Sequence, residues 1–165
     1  THADFVAELF ALCREDGINT CVETCGCVPR SAIEKVADLT DTFYFDLKLM
    51  APLRHRHWTG ADNALILDNA RYLAGRGASI LFRQPLIPGV NSMDENVRAT
   101  AEFIRSLGRD DLAIQIMPYH RMGTSKYAAL DKPYELENIQ IMDAESVGAV
   151  EKRYLDCGVK CTVSK

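Results

Sequence analysis

Glu23, Asp46, Lys48, Arg83 and His120 share one kind of address in the chain. Each closes, or closely follows, a short apolar run: residues 18–23, 42–47, 78–83 and 112–117 in turn. Thr24 sits beside the first of them. In parallel α/β architectures, binding and catalytic groups gather where strands end and the next loops begin. Chance placement would scatter charged groups over both strand ends and all loops, so the convergence says more than any single residue.

Each residue also has a plain structural reading. Asp46 and Lys48 stand two apart, and on a strand they would point to one side as a simple ion pair. Arg83 is as well suited to clamp a neighbouring carboxylate as a ligand's. A lone histidine such as His120 is more often structural than functional. Gly75-Arg76-Gly77 follows a helical pattern rather than a strand, so it reads as a helix terminus and not as a dinucleotide fingerprint. His55 and His57 are alternate residues, which share no helix face, and so do not read as a metal pair. Cys21, Cys25 and Cys27 form a C-x3-C-x-C trio, with Cys13, Cys157 and Cys161 elsewhere. Six cysteines gathered toward the two ends of an apolar chain suggest reduced thiols and no structural disulfide.

The elements that must position these groups follow from periodicity. Residues 3–16 place Phe5, Leu9 and Leu12 on one helical face, with Thr1 and Asp4 in capping-box spacing and Gly17 at the end. Pro29 suits the first turn of a second helix with Ile33 and Val36 inward. A helix starts near His55 and leads to Trp58-Thr59-Gly60. Ile66, Ala70 and Leu73 mark another helix, closed by Gly75 and Gly77. The strand at 78–83 is expected to stop at Pro85. Ser92-Met93-Asp94-Glu95 reads as a capping box opening a helix with Val97, Ala101 and Ile104 inward. A long polar connection spans 118–140. Asp143 caps a last helix carrying Val147, Val150 and Tyr154, and residues 159–163 form a final strand. Alternating helix and strand implies parallel pairing with right-handed crossovers, as in doubly wound sheets and β/α barrels.

The 165 residues are 47% hydrophobic and 25% charged, with a net charge of −4, which fits one globular domain over 1–165. No basic field suits nucleic acid, and no apolar run is long enough to span a membrane. A cytoplasmic location is expected. An α/β chain of this kind normally begins with a strand, and this one begins with a helix. The chain is therefore expected to be part of a larger unit, with the edge of its first strand bare and inclined to pair or self-associate.

The ordered blocks Glu23-Thr24-Cys25-Gly26, Asp46-Leu47-Lys48, Arg83 to Asn91 and Pro118-Tyr119-His120-Arg121-Met122-Gly123 resemble the activating enzymes of glycyl radical enzymes. His55 to Gly60, Leu65 to Asn69 and Lys126-Tyr127 fit the same resemblance, which runs over nearly the whole chain. It implies the radical S-adenosylmethionine (AdoMet) superfamily and an incomplete portion of a partial (β/α)6 barrel. In that family C-x3-C-x2-C holds a [4Fe-4S] cluster and Gly-Gly-Glu-Pro binds AdoMet, and neither block is in this sequence. The resemblance thus implies the C-terminal two-thirds of a catalytic domain, inactive as a fragment. The trio at Cys21 has the wrong spacing and place for the cluster.

By the same resemblance, Glu23 meets the AdoMet amino group, and Asp46 and Lys48 engage the ribose and the methionyl carboxylate. Arg83 helps bind that carboxylate, and His120 contacts the cofactor. Glu23, Thr24 and Asp46 fall where some members hold a monovalent cation, although Glu23 stands where the best-known member has aspartate. A zwitterionic sulfonium needs opposed charges, and this rim supplies both signs. The implied reaction is reductive AdoMet cleavage, followed by removal of a hydrogen atom from a glycine of a partner such as pyruvate formate-lyase. Flavodoxin or ferredoxin would be the reductant. The rim and the 118–140 connection would be the partner's docking surface. Two other readings compete: a Schiff-base aldolase-like barrel using Lys48 with Glu23 in acid–base work, and a zinc-stabilised interaction module using the terminal cysteines.

Overall fold

Phe43 and Phe45 alternate with exposed Tyr44, and Ile114 and Ile116 alternate with half-buried Ala113, Gln115 and Met117. That period-two pattern marks strands with one face in a core and one face free. The computed structural model describes residues 2–164. Five strands form a single parallel sheet in sequential order: β1 (Cys21–Thr24), β2 (Thr42–Asp46), β3 (Ile80–Leu86), β4 (Ala113–Pro118) and β5 (Lys160–Val163). Sequential order has no reversal point, so right-handed crossovers carry every intervening helix to the same face. This is the winding of a β/α barrel, and it excludes the doubly wound alternative, which needs a reversal.

The crossovers are α2 (Arg30–Ala37), α3 (Pro52–Thr59) with α4 (Ala64–Gly75), α5 (Asp94–Ser106) and α7 (Ala144–Asp156). They bury Ile33, Val36, Ile66, Ala70, Leu73, Val97, Ala101, Ile104, Val147, Val150 and Tyr154 against the strands in one core. Tyr154 is wholly buried, and its hydroxyl donates to Gln84 Oε1 at 2.7 Å. Asp143 caps α7 as expected, accepting from Ser146 N at 2.8 Å.

Several local expectations give way. The helix α1 (Ala3–Glu15) forms, but Phe5, Leu9 and Leu12 stay exposed and no α1 residue is buried. It packs at the edge of the layer, against α2. Thr1, half of its capping box, lies outside the described residues. Ser92 does not cap α5; its Oγ accepts from Gly89 N at 3.3 Å, and Met93 takes the cap position. The connection after β4 holds a 3-10 turn (Arg121–Gly123) and α6 (Thr124–Ala129). His55 and Trp58 belong to a full two-turn helix, in which His55 is buried.

The most instructive difference is β3, which continues through Pro85 to Leu86. Leu47 N donates to Arg83 O, and Tyr119 N donates to Leu86 O. Alternate residues of β3 therefore face β2 and β4, and Pro85 faces the β2 side. By then β2 has ended, since its last pair with β3 is Asp46 with Arg83. Proline is barred from a central strand because it cannot donate to a neighbour; here no neighbouring strand is left to receive.

Gly26, just beyond β1, has φ +68°. A Cβ there would lie 2.3 Å from Phe45 Cζ, inside the core-facing ring. Gly26→Ala is expected to cost at least about 2 kcal/mol through overpacking and left-handed strain. Urea denaturation of the variant against the parent checks this.

Candidate functional site

Parallel pairing puts neighbouring residues side by side on one face, so the register dictates which polar groups meet. On the helix-free face, Glu23 pairs with Tyr44, and Asp46 with Arg83. Arg83 starts from β3 and crosses the whole of β2: its guanidinium lies 5.2 Å from the Tyr44 ring centroid and hydrogen-bonds Glu23 on β1. Its Nε and Nη2 also donate to Asp46 Oδ1 at 3.4 and 3.3 Å. Lys48, one residue past Leu47, keeps Nζ 3.7 Å from Asp46 Oδ2. Three strands thus deliver two carboxylates and two cations to one rim.

Their exposures differ. Arg83 is 9% exposed, whereas the Glu23 side chain is 66% exposed. Burial opposes the Arg83 charge, but the hydrogen bond to Glu23 and the charge of Asp46 outweigh it. The guanidinium is held above its ordinary value. Arginine suits this place because its planar fork can serve two carboxylates at once.

Four buried asparagines fix the loops that carry the rim, and sequence reasoning missed all of them. Asn69, on α4, donates from Nδ2 to Gly26 O and Val28 O, both at 2.8 Å, and so pins the loop after Glu23 and Thr24. Asn91 donates to Pro85 O at 2.6 Å and Lys48 O at 3.0 Å, and its Oδ1 accepts from Ile87 N at 2.7 Å. The Asn91 amide takes the place that β2 has vacated. Asn63 donates to Leu49 O and Met50 O, and Asn96 accepts from Met50 N. A usable signal existed at Asn69, a polar residue on the same helical stripe as Ile66, Ala70 and Leu73.

The remaining predicted residues are placed as follows. Thr24 Oγ1 accepts from Gly26 N at 2.9 Å, so its hydroxyl shapes the turn. His120 is exposed, and its Nδ1 accepts from Met122 N at 3.3 Å, opening the 3-10 turn. The space between Glu23 and Asp46, where the resemblance implies a monovalent cation, is spanned by the Arg83 guanidinium. Cys21 and Cys27 are exposed and Cys25 is half-buried. Among the described residues, no group of three His, Cys, Asp or Glu is placed to hold a metal. The cysteines near the two chain ends lie on or beside opposite sheet edges, β1 and β5. Among the described residues, no helix is long and apolar enough to cross a membrane.

Fold and rim together define an α/β domain of barrel winding with opposed charges gathered at the carboxyl ends of three adjacent strands. No protein-family model matches the chain. It is 36% identical over 153 residues to the trans-4-hydroxy-L-proline dehydratase activating enzyme of Clostridioides difficile, covering 92% of this chain and 50% of that protein. It is 31% identical over 151 residues to the pyruvate formate-lyase 1-activating enzyme of Escherichia coli K12, covering 90% and 61%. Its fold matches the crystal structure of a domain of pyruvate-formate lyase-activating enzyme from Bacteroides vulgatus with TM-score 0.83 and 27% identity, covering 99% of this chain and 92% of that one. The chain is thus a homologue of activating enzymes of glycyl radical enzymes. It spans about half the length of the curated relatives it matches.

Two outcomes follow. Asn91→Ala leaves the part-buried Lys48 and Pro85 carbonyls without their donor and is expected to destabilise by about 1–2 kcal/mol. Amide hydrogen exchange should quicken at residues 47–50 and 85–91, with the far side of the sheet unchanged. For the thiols, burial pushes Cys161 up to about 12, so at pH 8 it stays protonated and covered. A thiol reagent should modify exposed Cys21 and Cys27 in the folded protein and reach Cys161 only after unfolding.

Proposed function

We propose that the rim binds AdoMet, and that the protein containing this chain activates a glycyl radical enzyme. The carrying observation is the set of opposed charges that Arg83, Glu23, Asp46 and Lys48 present at the carboxyl ends of three adjacent strands. AdoMet bears a carboxylate, an amine and a sulfonium, and a rim with both signs matches all three. Lys48 and Arg83 bind the methionyl carboxylate, Glu23 takes the amino group, and Asp46 serves the ribose with Lys48. His120 closes on the nucleoside from the loop after β4. The ligand carboxylate displaces Glu23 from Arg83, because Glu23 is the exposed partner and loses least by moving into water. Asp46 stays, keeping the buried guanidinium paired.

Bound there beside a reduced [4Fe-4S] cluster held elsewhere in the polypeptide, AdoMet would accept one electron and cleave to methionine and a 5′-deoxyadenosyl radical, the species that would take a hydrogen atom from a backbone glycine of the partner. The names of the relatives support pyruvate formate-lyase or a dehydratase as the class of partner. Cys21, Cys25 and Cys27 are not the cluster ligands on this reading, since their C-x3-C-x-C spacing departs from C-x3-C-x2-C. On this reading the 165 residues are the C-terminal part of the catalytic domain. The cluster ligands lie elsewhere in the polypeptide, and the chain alone is inactive. A flavodoxin or ferredoxin reductant belongs to the same reading. The aldolase alternative has less support, since Lys48 is ion-paired with Asp46 and the chain's relatives are glycyl radical enzyme activating enzymes.

Calorimetry with AdoMet tests the rim. Saturable binding is expected, weakened at least about tenfold in Lys48→Ala and Asp46→Asn; equal binding by the parent and both variants would sink the assignment. Anaerobic iron–sulfide reconstitution of the chain, followed by reduction and EPR, is expected to give no AdoMet-sensitive cluster signal. Such a signal would make the Cys21 trio a real cluster site.

A further inference from the structure

The resemblance implies a monovalent cation among Glu23, Thr24 and Asp46, and the placement of all three residues disagrees with one. Thr24 Oγ1 is turned into its own loop, where it accepts from Gly26 N at 2.9 Å. Successive strand residues point to opposite faces, so Thr24 leaves the face that carries Glu23. Asp46 Oδ1 accepts from Arg83 Nε and Nη2, and Lys48 Nζ stands 3.7 Å from Asp46 Oδ2. Glu23 Oε1 accepts from Arg83 Nη2. A sodium or potassium ion between these carboxylates would share its place with a guanidinium. The charges also balance without one, since Glu23 and Asp46 face Arg83 and Lys48. AdoMet, with one carboxylate against an amine and a sulfonium, is itself a net cation, and an added ion would repel it.

We infer that the Arg83 guanidinium, seated on the Tyr44 ring, takes the part of that cation, and that the rim needs no monovalent ion. What the rim binds rests on the AdoMet reading above; where the guanidinium sits does not. Arg83 starts two strands away from Glu23, roughly 10 Å at the spacing of a parallel sheet, and Tyr44 lies between them. The guanidinium carbon is 5.2 Å from the Tyr44 centroid, within cation–π reach. Tyr44 is 36% exposed on the helix-free face, so its ring is a floor for Arg83 and not part of the core. A lysine at position 83 would carry a point charge and could not serve both carboxylates as the planar fork does. Glutamate at position 23 matters as well: an aspartate is one methylene shorter and would draw its carboxylate back from the guanidinium. When a ligand carboxylate displaces Glu23, Asp46 and the Tyr44 ring still hold Arg83. The positive charge that meets the ligand is then a fixed part of the chain. An ion would instead be recruited from solution, and affinity for AdoMet would follow its concentration.

Thermal denaturation of the 165-residue chain in sodium, potassium or choline chloride at equal ionic strength tests this without AdoMet. The midpoint is expected to be the same in all three salts. Arg83→Gln removes the guanidinium and leaves Glu23 and Asp46 facing a gap. Sodium or potassium should then raise the midpoint by about 2–4 °C over choline. Glu23→Asp, at an exposed position, should open the same place to an ion, and it decides the matter if Arg83→Gln does not fold. A sodium or potassium preference in the parent chain overturns the inference, and so does the lack of one in every variant that folds. For the seat, Tyr44→Phe keeps the ring and should leave the Arg83 Nε–H resonance in the NMR spectrum where it is. Tyr44→Leu should move it out of the ring's shielding; equal spectra for the two variants sink the role of Tyr44. AdoMet calorimetry in the same salts adds the ligand. Affinities within about twofold of one another support the inference, and binding that requires sodium or potassium overturns it. Binding in no salt removes only the AdoMet reading and leaves denaturation to decide where the charge comes from.

Discussion

Every strand of a parallel sheet ends by releasing backbone carbonyls into a crowded layer of loops, and buried carbonyls need donors. The functional end of this molecule depends on how that requirement is met. Asparagine side chains meet it, each amide holding two carbonyls that no strand can reach. Asn91 ties Lys48 O to Pro85 O, Asn69 ties Gly26 O to Val28 O, and Asn63 ties Leu49 O to Met50 O. Without these ties the loops that follow Glu23 and Asp46, including the one that carries Lys48, would lack their anchors to the sheet and helices.

Anchoring matters because the charges at the rim are mutually satisfied before any ligand arrives. Arg83 is nearly buried and holds one half-buried carboxylate, Asp46, and one exposed carboxylate, Glu23. A buried cation stripped of its partners would be costly, and Asp46 is the better covered of the two. The same arrangement shows how the chain can supply positive charge between Glu23 and Asp46 from its own side chain.

The homology and the geometry address different scales. The relatives are activating enzymes of glycyl radical enzymes, and the alignments span 50% to 61% of the length of those compared above. The match to a solved domain of nearly the same extent shows this fold in a related protein. Local chemistry then divides the surface. The rim carries both signs of charge, while the adjoining cavity, walled by the connection after β4, is lined by Trp58, Tyr127 and Tyr134.

The amino-acid sequence alone determined the alternation of helix and parallel strand. It also marked the strand-end positions of Glu23, Thr24, Asp46, Lys48, Arg83 and His120, because hydrophobic period and turn residues are local properties of the chain. The apolar positions at Ile33, Val36, Val147, Val150 and Tyr154 were legible for the same reason. Only the tertiary structure decided that β3 runs through Pro85, because that depends on where β2 stops. Nor could sequence tell that Phe5, Leu9 and Leu12 stay exposed, since an amphipathic helix does not say what lies opposite it. The joining of Arg83 to Glu23 across an intervening strand, and the asparagine ties between loops far apart in sequence, likewise belong to tertiary structure. Register and long-range hydrogen bonding create them, and neither is encoded in any short stretch of residues.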